Sequence, residues 1–396
     1  MPLIKPFSAL IPAPHLQSAV VMLPLENYST GEAKLIAAEN NHSFIHLINP
    51  VLDYPYLRGN HKALIFKRIT EKLADFLNSN VLVPVPVPSF YIYQVKCNGK
   101  LQHGLWTLSH ASSYLDGNIK KHEHTVEKIE KELHEYLYHT GVDANPVLIT
   151  YHPSDVINKM IEKYMVQEPI LDFKFSDLTL HRVWAVSDPA DISAITAEFA
   201  AMDQVYIADG HHRAAAMSKM ECFSTVYMNT EEIRILPYNR LVRGLNGLTA
   251  DEYLFVLEAD FKIEKCDSPV EPAALHQIGM YLDSQWYIIS PKPEIYKEED
   301  PVGSLDVSIL QSFILEPLLA IKDPRKDARI NFEAGSVPAA ELQEKVDNGL
   351  YSIAFTLFAV SVNQLIKVAD NNEIMPPKST WIEPKFLIGI LTNKLN

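Results

Sequence analysis

The sequence predicts an α+β fold built on a mixed sheet, and three observations carry that expectation. Short apolar runs, such as the one from Val205 to Ala208, alternate irregularly with helical patterns and do not form a strict strand–helix repeat. Helix starts are well marked: Asp188 precedes Pro189, and Ile192, Ile195 and Phe199 follow at helical spacing. Between Asn80 and Leu105, alternating prolines suit an extended edge or connector, and the Asn98-Gly99 pair between extended segments is a hairpin signal.

Composition narrows the function classes. With 396 residues, 47% of them hydrophobic and 21% charged, the chain reads as an ordinary globular protein. That length suits two domains, or one domain with large elaborations. A net charge of −14 argues against a nucleic-acid partner, whose binding draws on Lys and Arg at phosphates. Cys97, Cys222 and Cys266 are far apart and form neither a disulfide framework nor a CxxC metal site, so a reducing compartment is expected. The N-terminal apolar stretch is broken by Pro6, Pro12, Pro14 and Pro24 and does not read as a signal peptide. Residues 349–366 carry no charge, yet Ser352, Thr356, Ser361, Asn363 and Gln364 interrupt them. They read as a strand and a helix capped at Ser361, not a membrane span. The expectation is a cytoplasmic protein with no membrane partner and an open oligomeric state.

The segment QVYIADGHHRAAAM, Gln204 to Met217, sets an acid, two imidazoles and a guanidinium around one glycine. The local order is helix, strand, glycine turn, and then helix formers from Arg213 to Met220. Gly210 lets the chain turn and lets a ligand approach the backbone. The free N–H groups of the next helix favour an anion. His211, His212 and Arg213 add donors, and Arg213 can grip a phosphate through two parallel bonds. Asp209 fits such a site if it ligates a metal that accompanies the phosphates, or takes a proton from a substrate hydroxyl. A plain helix cap would account for only one of these polar side chains.

Two more polar loops stand out. The first is Lys120-Lys121-His122-Glu123-His124-Thr125, ahead of a helix with Val126, Ile129, Leu133 and Leu137 on one face. Thr125 is the expected N-cap of that helix and Gly141 its terminator. The second is Pro376-Pro377-Lys378-Ser379-Thr380 with Lys385, either a rigid surface turn or a second phosphate contact. Arg182 and Arg240 are further cationic candidates, or members of structural ion pairs. His122 and His124 with His211 and His212 could also build the zinc site of a metal hydrolase, although no HExxH helix occurs. The charged, proline-rich stretch 291–303 is the best linker candidate. It would separate residues 1–290, which carry the DGHHR loop, from a C-terminal α/β portion, 304–396. That portion carries the MPPKST loop and is expected to complete the same site. Val307, Leu310, Ile314 and Leu318 mark an amphipathic helix at its start.

Taken in order, SFIHLIN, SSYLDGNIKKHEHT, HRVWAV, IADGHHRAAA, RILPYNR, DVSILQ and MPPKSTWIEPK resemble the family named domain of unknown function 1015. The resemblance runs from about Ser43 to Lys385, while the lead-in APHLQSAVVMLPLENYS departs from the Tyr-Asp-Val pattern expected there. A narrower resemblance links the strand, the Asp-Gly-His-x-Arg-Ala loop and the helix to the phosphate loop of the ParB/sulfiredoxin-like superfamily, which includes free-serine kinases. It implies a core of that type with large elaborations, nucleotide phosphate binding, and an upstream Glu serving the substrate hydroxyl. Asp209, Gly210, His211, Arg213 and Ala214 match, His212 stands where those kinases have Thr, and Glu123 takes the upstream role by type alone. Sulfiredoxin chemistry is excluded because His211 stands in place of the reactive Cys. Chromosome partitioning does not suit an acidic chain without a helix-turn-helix.

The leading expectation is a phosphotransferase using ATP or ADP with Mg²⁺ on a small hydroxyl metabolite, serine or a serine-like compound first. Glu123 and Asp209 are then catalytic, with Asp209 on the metal. Gly210, His211, His212, Arg213, Lys378, Ser379 and Thr380 hold phosphates. The alternatives are a non-catalytic nucleotide sensor and a His-ligated metal hydrolase.

Overall fold

The computed structural model describes residues 1–53, 61–97 and 99–395, so Asn98 of the expected hairpin turn lies outside the described residues. The chain divides into two compact units. Met1–Lys120, Thr125–Ile233 and Pro384–Asn396 form the first, and Lys121–His124 with Arg234–Glu383 form the second.

The first unit is built on a mixed sheet of nine described strands. Its order is Ile119–Lys120, Val205–Asp209, Val147–Tyr151, Cys222–Asn229, Lys100–His110, Phe90–Cys97, Leu180–Val186 and Leu171–Lys174, with Ile4–Lys5 pairing to Lys100–His110. Two of the pairings near one end are parallel, Ile119–Lys120 with Val205–Asp209 and Val147–Tyr151 with Cys222–Asn229. The neighbours from Cys222–Asn229 onward are antiparallel, including the hairpin in which Cys97 faces Lys100. An α+β fold on a mixed sheet is therefore what the chain adopts. The central strands are buried on both faces, with Tyr91, Tyr93, Trp106, Tyr151 and Tyr227 fully enclosed.

Local signals placed several helices as expected. Asp188 accepts from the amides of Ala190 and Asp191 to cap Pro189–Ala201, which buries Ile195 and Phe199. Gly141, at φ 67°, ends Glu127–Thr140. The start of that helix differs from expectation. Val126 is the N-cap without a side-chain bond, and the Thr125 hydroxyl donates to the Glu130 carboxylate. Only the C-terminal part of its apolar face is covered: Leu137 is buried, whereas Val126 and Ile129 are exposed. The helix after Gly210 runs His211–Met217, earlier than the formers from Arg213 suggested, so both histidines lie in its first turn.

The second unit carries an antiparallel sheet in the order Phe261–Cys266, Gln285–Pro291, Ile278–Leu282, Ile353–Leu357, Tyr238–Val242 and Ile330–Ala334. Ser361 caps Val362–Asp370 through a capping box after strand Ile353–Leu357, as read from sequence. The amphipathic pattern from Val307 becomes a short helix, Asp306–Leu310, continued by a π-helical turn, Gln311–Leu315. The 291–303 stretch runs inside this unit, where Lys367 Nζ donates to the Glu298 carbonyl at 3.0 Å. Among the described residues, no helix is long and apolar enough to cross a membrane.

Candidate functional site

In the first unit the strand Val205–Asp209 pairs antiparallel with Val147–Tyr151, and its register slips between Ile207 and Asp209. Such a bulge re-aims the side chain that follows it. Here that side chain is Asp209. Val205 to Ala208 are all buried, whereas Asp209 keeps about a third of its side chain exposed.

Gly210 follows at φ 97°, the left-handed region that favours glycine. A Cβ on Gly210 would lie 2.8 Å from Arg213 Nη2 and 2.9 Å from Nε. The missing side chain therefore admits the protein's own guanidinium, which folds back across the turn. Arg213 Nη2 donates to Asp209 Oδ2 at 2.7 Å, and Nη1 donates to Asn145 Oδ1. On its other side, Asp209 Oδ1 accepts from Lys385 Nζ at 2.9 Å. Burial pushes the Asp209 carboxyl up, but the Lys385 and Arg213 charges outweigh it, with a contribution from His211, and hold it at about 2. Asp209 is thus a carboxylate at any ordinary pH and a poor base. It suits charge neutralisation or metal ligation.

His211 is buried in the first helical turn, and His212 Nε2 accepts from the Val126 amide at 3.1 Å. That bond requires the Nδ1–H tautomer of His212 and ties the loop to the start of Glu127–Thr140.

Two residues of this neighbourhood escaped the sequence reading, Asn145 and Asp143. Their only signal was polarity in Val142-Asp143-Ala144-Asn145, just before a buried strand. Asp143 is almost wholly buried; its Oδ2 accepts from the Ser224 amide at 2.9 Å, and Oδ1 has no hydrogen-bond partner among the described residues. Burial pushes its carboxyl up to about 6, against the Ser224 amide, the Asn393 side chain and the Arg213 charge. Two carboxylates that feel one guanidinium are therefore driven apart, one to about 2 and one to about 6.

The Arg182 Nε donates to Asp172 Oδ2 at 3.0 Å, an exposed cross-strand ion pair of the first unit. His122, Glu123 and His124 belong to the second unit, where His122 is buried, its carbonyl accepts from the Met375 amide at 2.9 Å, and His124 is exposed. Lys378, Ser379 and Thr380 are also there; Ser379 Oγ donates to the Pro376 carbonyl at 2.6 Å, and Lys378 takes a left-handed φ of 58°. Arg240 is buried in the same unit and has no carboxylate partner among the described residues. Among the described residues, one group of three His, Cys, Asp or Glu side chains has metal-ligand spacing, His110, Glu221 and Cys222. None of His122, His124, His211 and His212 is part of it.

Comparisons with known proteins cover most of the chain. No curated protein matches it. Its fold is similar, at 13% identity and a TM-score of 0.40, to a mutant free serine kinase in complex with AMP, over 72% of this chain and 92% of that one. A mutant free serine kinase in complex with ADP is similar at 13% identity and a TM-score of 0.39, over 72% and 92% of the two chains. A conserved hypothetical protein from Pyrococcus furiosus is similar at 13% identity and a TM-score of 0.37, over 72% and 93%. The profile described as "Protein of unknown function (DUF1015)" matches residues 4–308, most of the sequence, so the chain belongs to that family.

Proposed function

We propose that the protein is a nucleotide-dependent phosphotransferase acting on a small hydroxyl metabolite, with serine the first acceptor to try. The observation that carries this reading is the clamp of Arg213 and Lys385 on an ionised Asp209 at the end of a bulged strand. Two cations face one carboxylate, and all three side chains keep some exposure, so an incoming polyanion can exchange for Asp209. Phosphoryl transfer asks the protein mainly to position reactants and neutralise charge, which is what such a set of side chains supplies.

In this reading the phosphates of ATP or ADP take the Arg213 guanidinium and the Lys385 ammonium. Gly210, His211 and His212 shape the turn that presents them. Asp209, released from its ion pairs, ligates Mg²⁺ together with phosphate oxygens; one carboxylate plus phosphates and water is an ordinary Mg²⁺ set. Glu123 is assigned, by residue type, the role the resemblance gives an upstream Glu, acceptor of the hydroxyl proton.

A second reading has its own support. A carboxylate already held by two cations is a latch that nucleotide would open, as a sensor requires. One experiment separates them: incubate the protein with ATP or ADP, Mg²⁺ and a panel of hydroxyl metabolites including serine, and assay phosphorylated product alongside nucleotide binding. Product supports the kinase. Tight binding with no product from any pair leaves the sensor, and no nucleotide binding rejects both.

A further inference from the structure

The second unit buries a cation that no carboxylate among the described residues neutralises. Arg240 sits mid-strand in Tyr238–Val242, between Phe332 and Phe355 on the two flanking strands, and is only 2% exposed. Its Nη1 donates to the Tyr238 carbonyl and Nη2 to the Lys378 carbonyl at 2.9 Å, while Nε has no hydrogen-bond partner among the described residues. The guanidinium lies 5.4 Å from the Phe332 ring centroid. Burial pulls it down to about 9, so it remains charged at neutral pH. Two carbonyl dipoles and a ring face do not replace a counter-charge, and a buried unpaired charge is costly.

A second cation reaches the same cluster. Lys378, whose carbonyl Arg240 holds, turns its ammonium over the Tyr238 ring at 5.1 Å from the centroid, with no ion pair among the described residues. Its backbone is in the left-handed region at φ 58°, a strained state for a lysine. Two like charges in one cluster, with no acid among the described residues, suit an anionic ligand.

We propose that Arg240 and Lys378 form a phosphate-binding site of the second unit. The free Nε–H and the remaining Nη hydrogens of Arg240 offer a planar donor edge for two phosphate oxygens, and Lys378 adds a point charge at the outer side. Two positive charges match the dianion of a phosphate better than a single carboxylate. The inference stands apart from the Asp209–Arg213 loop, since every residue it uses belongs to the other unit.

The test is thermal unfolding of the full chain in phosphate- and sulfate-free buffer, titrated with inorganic phosphate and, separately, with acetate. Wild type, Arg213→Ala, Arg240→Met and Lys378→Met are compared; the Arg213→Ala protein removes phosphate held by the first-unit loop. Saturable stabilisation by phosphate that exceeds acetate, retained in Arg213→Ala, lost in Arg240→Met and needing at least about tenfold more phosphate in Lys378→Met, is expected. Without anion, Arg240→Met should melt at or above wild type, because it removes an uncompensated buried charge. An Arg240→Met protein that is unfolded or melts several degrees lower without anion makes Arg240 structural and overturns the site. So does a phosphate response unchanged by Arg240→Met or by Lys378→Met.

Discussion

Lys385 Nζ lies 2.9 Å from Asp209 Oδ1 although 176 residues separate them in sequence. The C-terminal segment returns to the first unit by pairing Asn393–Lys394 with Val142–Asp143, and in doing so brings an ammonium to the DGHHR loop. Asp209 is thereby held between Lys385 and Arg213, and its low pKa follows from both.

Lys385→Met should raise the Asp209 pKa, because one of the two charges that outweigh burial is gone. In wild type the carboxyl sits below its ordinary value, at about 2. Its contribution to stability is complete above the unfolded-state pKa, roughly 4, and disappears as pH falls through the folded one. The variant should lose less stability between about pH 4 and 2, and the Asp209 carboxyl resonance should titrate at higher pH. An unchanged midpoint would show that Lys385 does not pair with Asp209 in solution.

Arg213→Ala should keep the fold and weaken nucleotide binding by about 1.5–3 kcal/mol, the usual loss of a charge-assisted contact. Gly210→Ala should destabilise by about 1 kcal/mol or more, from φ 97° and from a Cβ 2.8 Å from Arg213 Nη2. Combined with Arg213→Ala, the same glycine change should cost less, since the clash is removed and only the backbone strain remains. Strict additivity in denaturant unfolding would refute the packing of the guanidinium against Gly210.

Asp143 has the opposite sign to Asp209. Its folded pKa, about 6, lies above the unfolded value of roughly 4, so the folded state holds a proton that the unfolded chain has released. Stability should therefore fall as pH rises from about 4 to 6 and then level off, by about 2–3 kcal/mol in all. Asp143→Asn should flatten that slope. Urea unfolding at closely spaced pH values reads it directly, and an equal slope in both proteins would refute the buried protonated carboxyl.

Glu123→Gln should leave nucleotide affinity unchanged and lower turnover by roughly 10²–10⁴-fold, the usual contribution of a positioned base. Asp209→Asn should weaken the dependence of turnover on Mg²⁺. Full turnover in Glu123→Gln would reassign the proton acceptor, and Asp143, with its pKa near 6, would be the next residue to change.

Much of the local structure was legible because it depends on near neighbours. Asp188 and Ser361 cap helices within three residues of themselves, Gly141 ends one through its own backbone, and Gly210 turns the chain where a strand meets a helix. Residue type alone also marked Asp209 and Arg213 as site candidates, although not as each other's partners. Tertiary structure decided the rest, because charge and burial depend on what arrives from far along the chain. Sequence grouped Lys385 with Lys378, Ser379 and Thr380, only a few residues away. Lys385 joins Asp209 in the first unit, whereas the other three belong to the second. Thr125 looked like a cap, but the helix begins after Val126 and its hydroxyl turns to Glu130. Asp143 was invisible as a titrating group because its upward shift comes from burial in the folded chain, which the Ser224 amide and the Asn393 side chain only oppose. Arg240 could have been one half of an ion pair. Only the sheet around it shows that no carboxylate among the described residues arrives, and a guanidinium held by carbonyls alone is a property of the packing, not of the residue.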